Sequence, residues 1–517
     1  MVKVISADEA HRQVHGPEEV GFLDVREVGV FSEGHPLFAA SLPYSVLEDR
    51  VDRIVPNRTA PLLLIDGDDG TAIAAADALA GMEFSNIAIV RGGVRGWENA
   101  GFTLFEGVHV PSKTLGELAF ERWKPPTLKP SELYEWQREG KNFTLLDCRP
   151  HSEFRKMTVP GATCMPTGEI VNSFSTLDTR APIVITCAGR TRSIIGVCSL
   201  SLIAKDREIL ALENGTQGWS LLGLELEGGT EAVNSPPLAQ QAKIDARKRA
   251  EAMVAGFGIN SVDAESAKKF LGSDERTTYF FDVRSETEAD ADPLDAFDAI
   301  TVGQLVQTTD LKAGVRRARM VLADDFGLRA SVAAFWLRAL GFEVHVAIID
   351  DRLRELRRVG LPGPRQFERT ELEADSSLSE VRGGSARLID VRSSAAFSKA
   401  SVAGSEWCSR FRIRELSPAP KWLIVGDDGP QAELAAREFS RLGGRRYAIV
   451  SGGFEALRLA GAPIQPGINF PAAEPIDEIR FASGRHDGDL QASRRYLDWE
   501  KGLVSRLSVS ERAEFAI

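Results

Sequence analysis

The chain has 517 residues, 43% of them hydrophobic and 26% charged, with a formal net charge of −12. That length predicts three or four domains, each able to bury a core of its own. The acidic balance excludes a general nucleic-acid surface or an anionic-membrane patch, since both partners would be repelled at long range, while a local basic pocket stays open.

The N-terminal segment carries Asp8, Glu9, Arg12, Glu18 and Glu19, and so lacks the apolar core that a secretory signal needs. His11 and His15 have the spacing of a metal pair, but with no third ligand in view they read as part of a surface helix, and no metal is expected. Five cysteines, an odd number without a CxxC pair, give no disulfide framework. They point to a reducing compartment, and the chain is expected in the cytoplasm.

Leu23-Asp24-Val25-Arg26 is the first appearance of a phrase that returns as Leu146-Asp147-Cys148-Arg149, Phe281-Asp282-Val283-Arg284 and Ile389-Asp390-Val391-Arg392. Its period of about 110 to 135 residues indicates repeated domains, because solenoid units are far shorter. Further along each copy comes a short apolar run that predicts a strand: Leu62 to Ile65, Ile183 to Thr186, Met320 to Ala323 and Trp422 to Val425. Each is followed by a turn and an alanine- or leucine-rich helical segment. A later strand with a glycine-containing turn spans Ile89 to Trp97, Leu212 to Trp219 and Ile449 to Leu457; in the third copy Val344 to Ile349 gives the strand, and Asp350 and Asp351 replace the glycines.

Strands and helices alternating in this way predict an α/β fold of four tandem domains, each a mainly parallel sheet with helices on both faces. Pro125 and Pro126, the polar helix-prone stretch that begins at Ser235-Pro236-Pro237, and the segment Gly363 to Ser379 mark the divisions. The expected domains are 1–110, 125–230, 256–362 and 378–467. A tail, 468–517, follows Pro471 and Pro475; its Tyr496, Trp499, Leu503 and Leu507 have near-helical spacing and should pack against another domain.

The second copy holds the most informative stretch, Cys187-Ala188-Gly189-Arg190-Thr191-Arg192-Ser193, between the strand Ile183 to Thr186 and the apolar helix Ile194 to Ala204. A strand feeding a six-residue turn into a helix leaves several N–H groups free to point at one sulfur. Two arginines beside it should further lower the thiol pKa. Cys187 is therefore the candidate nucleophile. Arg190 and Arg192 are candidate clamps for an anionic donor, and Ser193 reads as a helix cap. Cys148, Cys164, Cys198 and Cys408 lack such a turn and read as packing residues. The counterparts of Cys187 are Asp66, Asp324 and Gly426, in turns that include Asp68, Asp69, Asp325, Asp427 and Asp428, and helix dipoles favour such carboxylates. The Asp-x-Arg pairs occur with or without the nucleophile, so they should support the fold.

These residues resemble the rhodanese (sulfurtransferase) superfamily. The likeness rests on Leu146 to Ala162, on Glu213 to Trp219 with Gly215, Gly218 and Trp219, and on the Cys187 loop, which is similar to the family's six-residue catalytic loop. The whole arrangement resembles bacterial proteins with four tandem rhodanese-like domains, an impression Gly303 to Gln307 strengthens. The resemblance implies a double displacement. Cys187 takes sulfane sulfur from thiosulfate or a similar small anionic donor, with Ala188 to Ser193 around the substrate, and a persulfide passes it to cyanide, a small thiol or a protein thiol. No cofactor is implied. The three copies without a cysteine at this position should be inactive, which also motivates an alternative, a sulfur-relay or binding scaffold whose inactive domains dock a partner protein. A phosphatase or arsenate reductase would need a longer loop ending in Arg; here Arg192 stands five residues after Cys187 and Ser193 six.

Overall fold

The computed structural model describes residues 2–177, 180–204, 207–228, 238–358, 360, 367, 369–427, 429–467 and 476–517. Ser235, Pro236, Pro237, Gly363, Asp428, Pro471 and Pro475 lie outside them.

Each copy builds a parallel sheet with one strand order: first, fifth, fourth, second, third. In the first copy these are Lys3–Ile5, Ile87–Val90, Leu62–Ile65, Val20–Asp24 and Ala40–Ser41. In the second they are Thr127–Leu128, Ile209–Leu212, Ile183–Thr186, Thr144–Asp147 and Thr163–Cys164. The third uses Asn260–Ser261, Glu343–Ile348, Arg319–Asp324, Thr278–Asp282 and Asp298–Ala299. The fourth uses Glu371–Leu372, Tyr447–Val450, Trp422–Val425, Arg387–Asp390 and Glu406–Trp407. The central strands are largely apolar because helices cover both faces; Ile183, Val184 and Ile185 have no exposed surface. The fourth sheet begins before the expected boundary at 378, since Glu371–Leu372 already pairs with the strand at Tyr447–Val450.

The chain divides into two compact units. One holds residues 1–11, 21–107 and 361–481, and so the first and fourth sheets; the other holds 12–20, 108–360 and 482–517, with the second and third. Long-range polar contacts within each unit set the actual pairing. In the first unit the Tyr44 hydroxyl donates to Glu438 at 2.6 Å, and Arg410 is paired with Glu48. In the second, Trp336 Nε1 donates to Ser199 at 2.8 Å and Arg329 reaches Glu169 at 3.0 Å. The expected single tail is also divided: Gly29 donates its N–H to Ile476 in the first unit, whereas residues 482–517 belong to the second. No helix of the described residues is long and apolar enough to cross a membrane.

The four Asp-x-Arg pairs are alike and buried. Each arginine Nε donates to its aspartate at 2.9 to 3.0 Å, and each Nη2 also reaches a carbonyl eight residues on: Gly34, Met157, Asp292 and Ala400. A guanidinium tied to a strand end and to the following turn fixes that turn, which is a structural duty. His11 stacks on Phe102 with ring centres 4.1 Å apart, and His15 Nδ1 lies 3.2 Å from Glu514.

Candidate active site

The loop after Ile183–Thr186 is shorter than the sequence suggests. The following helix, Thr191–Ile203, has already begun at Thr191, so only Cys187 to Arg190 form the turn, and Arg192 and Ser193 are helical. Two further contacts shape it: the Cys187 carbonyl accepts from the Thr216 N–H at 2.9 Å, and the Ala188 carbonyl from the Gln217 N–H at 3.1 Å. That close approach requires Gly215. Its φ is +53°, and a Cβ there would lie 2.0 Å from the Cys187 carbonyl oxygen. Gly93 and Gly453 meet the Asp66 and Gly426 carbonyls in the same way, which explains the repeated glycine turn.

Cys187 is 2% exposed, yet its surroundings are polar. Its Sγ lies 3.5 Å from Ser193 Oγ, and the Ser193 N–H is also directed at it. Burial alone would push the thiol pKa up. The hydrogen bond from Cys148, the Arg192 guanidinium, and the Ser193 hydroxyl and N–H outweigh burial and bring it down to about 6. Cys148 moves the opposite way, held well above the ordinary thiol range by its hydrogen bond to Cys187 and then by burial. Burial pushes Cys164, Cys198 and Cys408 up to about 12, in keeping with packing residues.

Several expected roles are corrected. Ser193 is not the helix cap: it is the third helical residue, its hydroxyl donates to the Arg190 carbonyl at 2.9 Å, and it contacts the thiol. Arg190 is engaged away from Cys187, its Nε and Nη2 on Glu117 at 2.7 and 3.0 Å and its guanidinium over the Phe120 ring. Arg192 is held by Glu153 at 2.6 and 2.8 Å, so it bears on the thiol by its charge. Cys148, read from sequence as packing, bears on the ionisation of Cys187. The only available signal was its place in the repeated phrase, where the other copies have valine.

Two helices that the loop sequence does not announce close over it. Thr191 donates through its N–H and hydroxyl to Glu500 on the tail helix Leu490–Gly502, whose Tyr496 packs near Gly189. Lys113, on the helix Val110–Trp123, lies buried with its Nζ 5.3 and 5.0 Å from the Tyr496 and Trp499 ring centres, and burial pulls its ammonium down to about 8. The Gln217 side-chain amide and the second carboxylate oxygen of Glu500 are buried beside Gly189 without a hydrogen-bond partner. Such groups are costly unless something binds to them.

In the first copy Asp66 takes the place of Cys187 and fills the cradle with its own carboxylate, accepting from the Asp68 and Ala72 N–H groups at 3.0 and 2.9 Å. Asp324 does the same in the third copy, accepting from the Arg329 N–H and Nε. The dipole argument for these acids is therefore incomplete: each supplies a built-in anion to the amides that would otherwise face a thiolate.

The fold and this loop define a protein of tandem rhodanese-like domains. A rhodanese-like domain model matches residues 6–100 and 129–222. Over 100% of this chain and 99% of its own length, the crystal structure of a thiosulfate sulfurtransferase from Pseudomonas aeruginosa aligns with a TM-score of 0.90 and 33% sequence identity. The chain belongs to the rhodanese family. Among curated proteins it is 32% identical over 99 residues to an HTH-type transcriptional regulator of Mycobacterium tuberculosis, a match covering 18% of this chain and 41% of the regulator. It is 27% identical over 107 residues to the uncharacterized Escherichia coli protein YibN, covering 20% of this chain and 74% of that one.

Proposed function

We propose that the protein is a sulfurtransferase that moves sulfane sulfur from thiosulfate, or a similar anionic donor, to cyanide or a thiol through a persulfide on Cys187. The observation that carries this is a buried thiol whose ionised form is favoured by the Ser193 N–H and hydroxyl, the Cys148 thiol and the Arg192 charge. The thiolate attacks the outer sulfur of thiosulfate, the S–S bond breaks, and sulfite leaves with the bonding pair. The persulfide anion then needs the same donors that held the thiolate, so one preorganised loop serves both states. Residues Ala188 to Ser193 would line the reacting sulfur, and the unpaired amide of Gln217 and carboxylate oxygen of Glu500 offer polar contacts to donor or acceptor. A thiol 2% exposed favours a small acceptor over a protein thiol.

The domains at 1–110, 256–362 and 378–467 would then have no part in the chemistry, since neither a carboxylate at Asp66 or Asp324 nor Gly426 can form a persulfide. Treating the full chain with thiosulfate should add one sulfur atom to Cys187, seen by mass spectrometry, and Cys187→Ser should abolish both labelling and turnover. Labelling that survives in Cys187→Ser sinks the proposal.

A further inference from the structure

Two thiols end neighbouring strands in the copy that carries the nucleophile. Thr144–Asp147 and Ile183–Thr186 run parallel with Asp147 opposite Thr186, and the Cys148 N–H continues the ladder to the Thr186 carbonyl at 3.0 Å. One residue further on, Cys148 and Cys187 follow these paired strand ends, and each thiol shifts the ionisation of the other. Neighbouring strands lie about 4.8 Å apart, inside the range of about 4.4 to 6.8 Å between Cα atoms of bridged cysteines. That spacing puts a bond between the two thiols within reach.

The repeats supply an internal control. At the position of Cys148 the other copies have Val25, Val283 and Val391, which are 0%, 1% and 8% exposed, against 2% for Cys148. Packing at this strand end is thus satisfied by valine. A thiol occurs where the nucleophile is also a thiol.

We propose that Cys148 is a resolving thiol, which converts the Cys187 persulfide into a Cys148–Cys187 disulfide and releases hydrosulfide. This rests on the sulfurtransferase reading, which supplies the persulfide. The Cys148 thiol gives its proton to the terminal sulfur of the persulfide anion. The Cys148 thiolate then attacks Cys187 Sγ, forming the new S–S bond, while the bond to the terminal sulfur breaks and hydrosulfide departs with its electron pair and the transferred proton. The sulfane sulfur is reduced and the two thiols are oxidised, so no outside oxidant enters. A small dithiol reductant returns the pair to its starting state. Because the hydrogen bond to Cys187 and burial keep Cys148 protonated, it still carries the proton that the leaving sulfur requires. The chain thereby gains a second activity, release of sulfide from a sulfane donor without a separate acceptor.

The test uses reduced, desalted full-length protein mixed with an equimolar amount of thiosulfate and no acceptor. Wild type should release sulfite and sulfide together and lose two hydrogens in intact mass, with Cys148 and Cys187 joined in a non-reducing peptide map. Cys148→Val, which has its precedent in the sister copies, and Cys148→Ser should release sulfite more slowly than wild type, because the Cys187 thiolate loses a donor, but without sulfide, and should retain one extra sulfur atom on Cys187. If wild type also retains that sulfur, or if either variant releases sulfide as wild type does, Cys148 is not a resolving thiol. If no protein releases sulfite, the sulfurtransferase reading falls, and the resolving step with it.

Discussion

Burial disfavours a thiolate, and at Cys187 a neighbouring thiol, a guanidinium and the start of a helix offset that cost. The sign of the pH dependence follows. Below about 6 the thiol is protonated and unreactive, and above it the thiolate dominates, so the rate of alkylation by iodoacetamide should climb through that pH and level off near neutrality. A profile rising only near 9 would show that burial wins. Cys148→Val removes a donor to the thiolate and should move the midpoint upward. Cys187 stands out in the sequence as a candidate because a lone cysteine between an apolar strand and an arginine-containing turn is unusual. The duties of its neighbours were not, because Glu117 and Glu153, which hold Arg190 and Arg192, lie 73 and 39 residues away along the chain.

Strands Leu62–Ile65, Ile183–Thr186 and Trp422–Val425 stand where the apolar runs place them, since burial on both faces leaves a continuous apolar signature. The helix after Cys187 starts at Thr191, a few residues before the apolar run from Ile194, and the turn ahead of it is closed by the N–H groups of Thr216 and Gln217 from another helix. The tail helix shows the same limit. Its apolar spacing predicted packing, but the partner of Glu500 depended on the fold. Glu500→Ala would leave the Thr191 N–H and hydroxyl without their acceptor at a buried site, which should cost about 1 to 3 kcal/mol. Thermal unfolding should shift down, and alkylation of Cys187 by a bulky maleimide should accelerate. Unchanged maleimide kinetics would mean that the tail helix does not restrict access to the thiol.

At the scale of the whole molecule, each unit is fastened by charges buried between two copies. Arg329 has no exposed surface and meets Asp324 at 2.8 Å, Glu169 at 3.0 Å and Glu288 at 2.5 Å. Arg329→Ala strands those carboxylates, and removing one partner of a buried ion pair costs about 3 to 5 kcal/mol. The denaturant midpoint should fall accordingly, and a shift within experimental error would show that water reaches the carboxylates and replaces the guanidinium. By itself the sequence determined the repeat, the strand–turn–helix grammar of each copy and the place of Cys187 in it, because these depend on local apolar pattern and on residues adjacent in the chain. Only the tertiary structure decided which copies share a unit, where Arg190 and Arg192 point and which thiol faces Cys187. Those outcomes depend on pairing between residues far apart in sequence, where many partners are chemically equivalent and geometry alone selects among them.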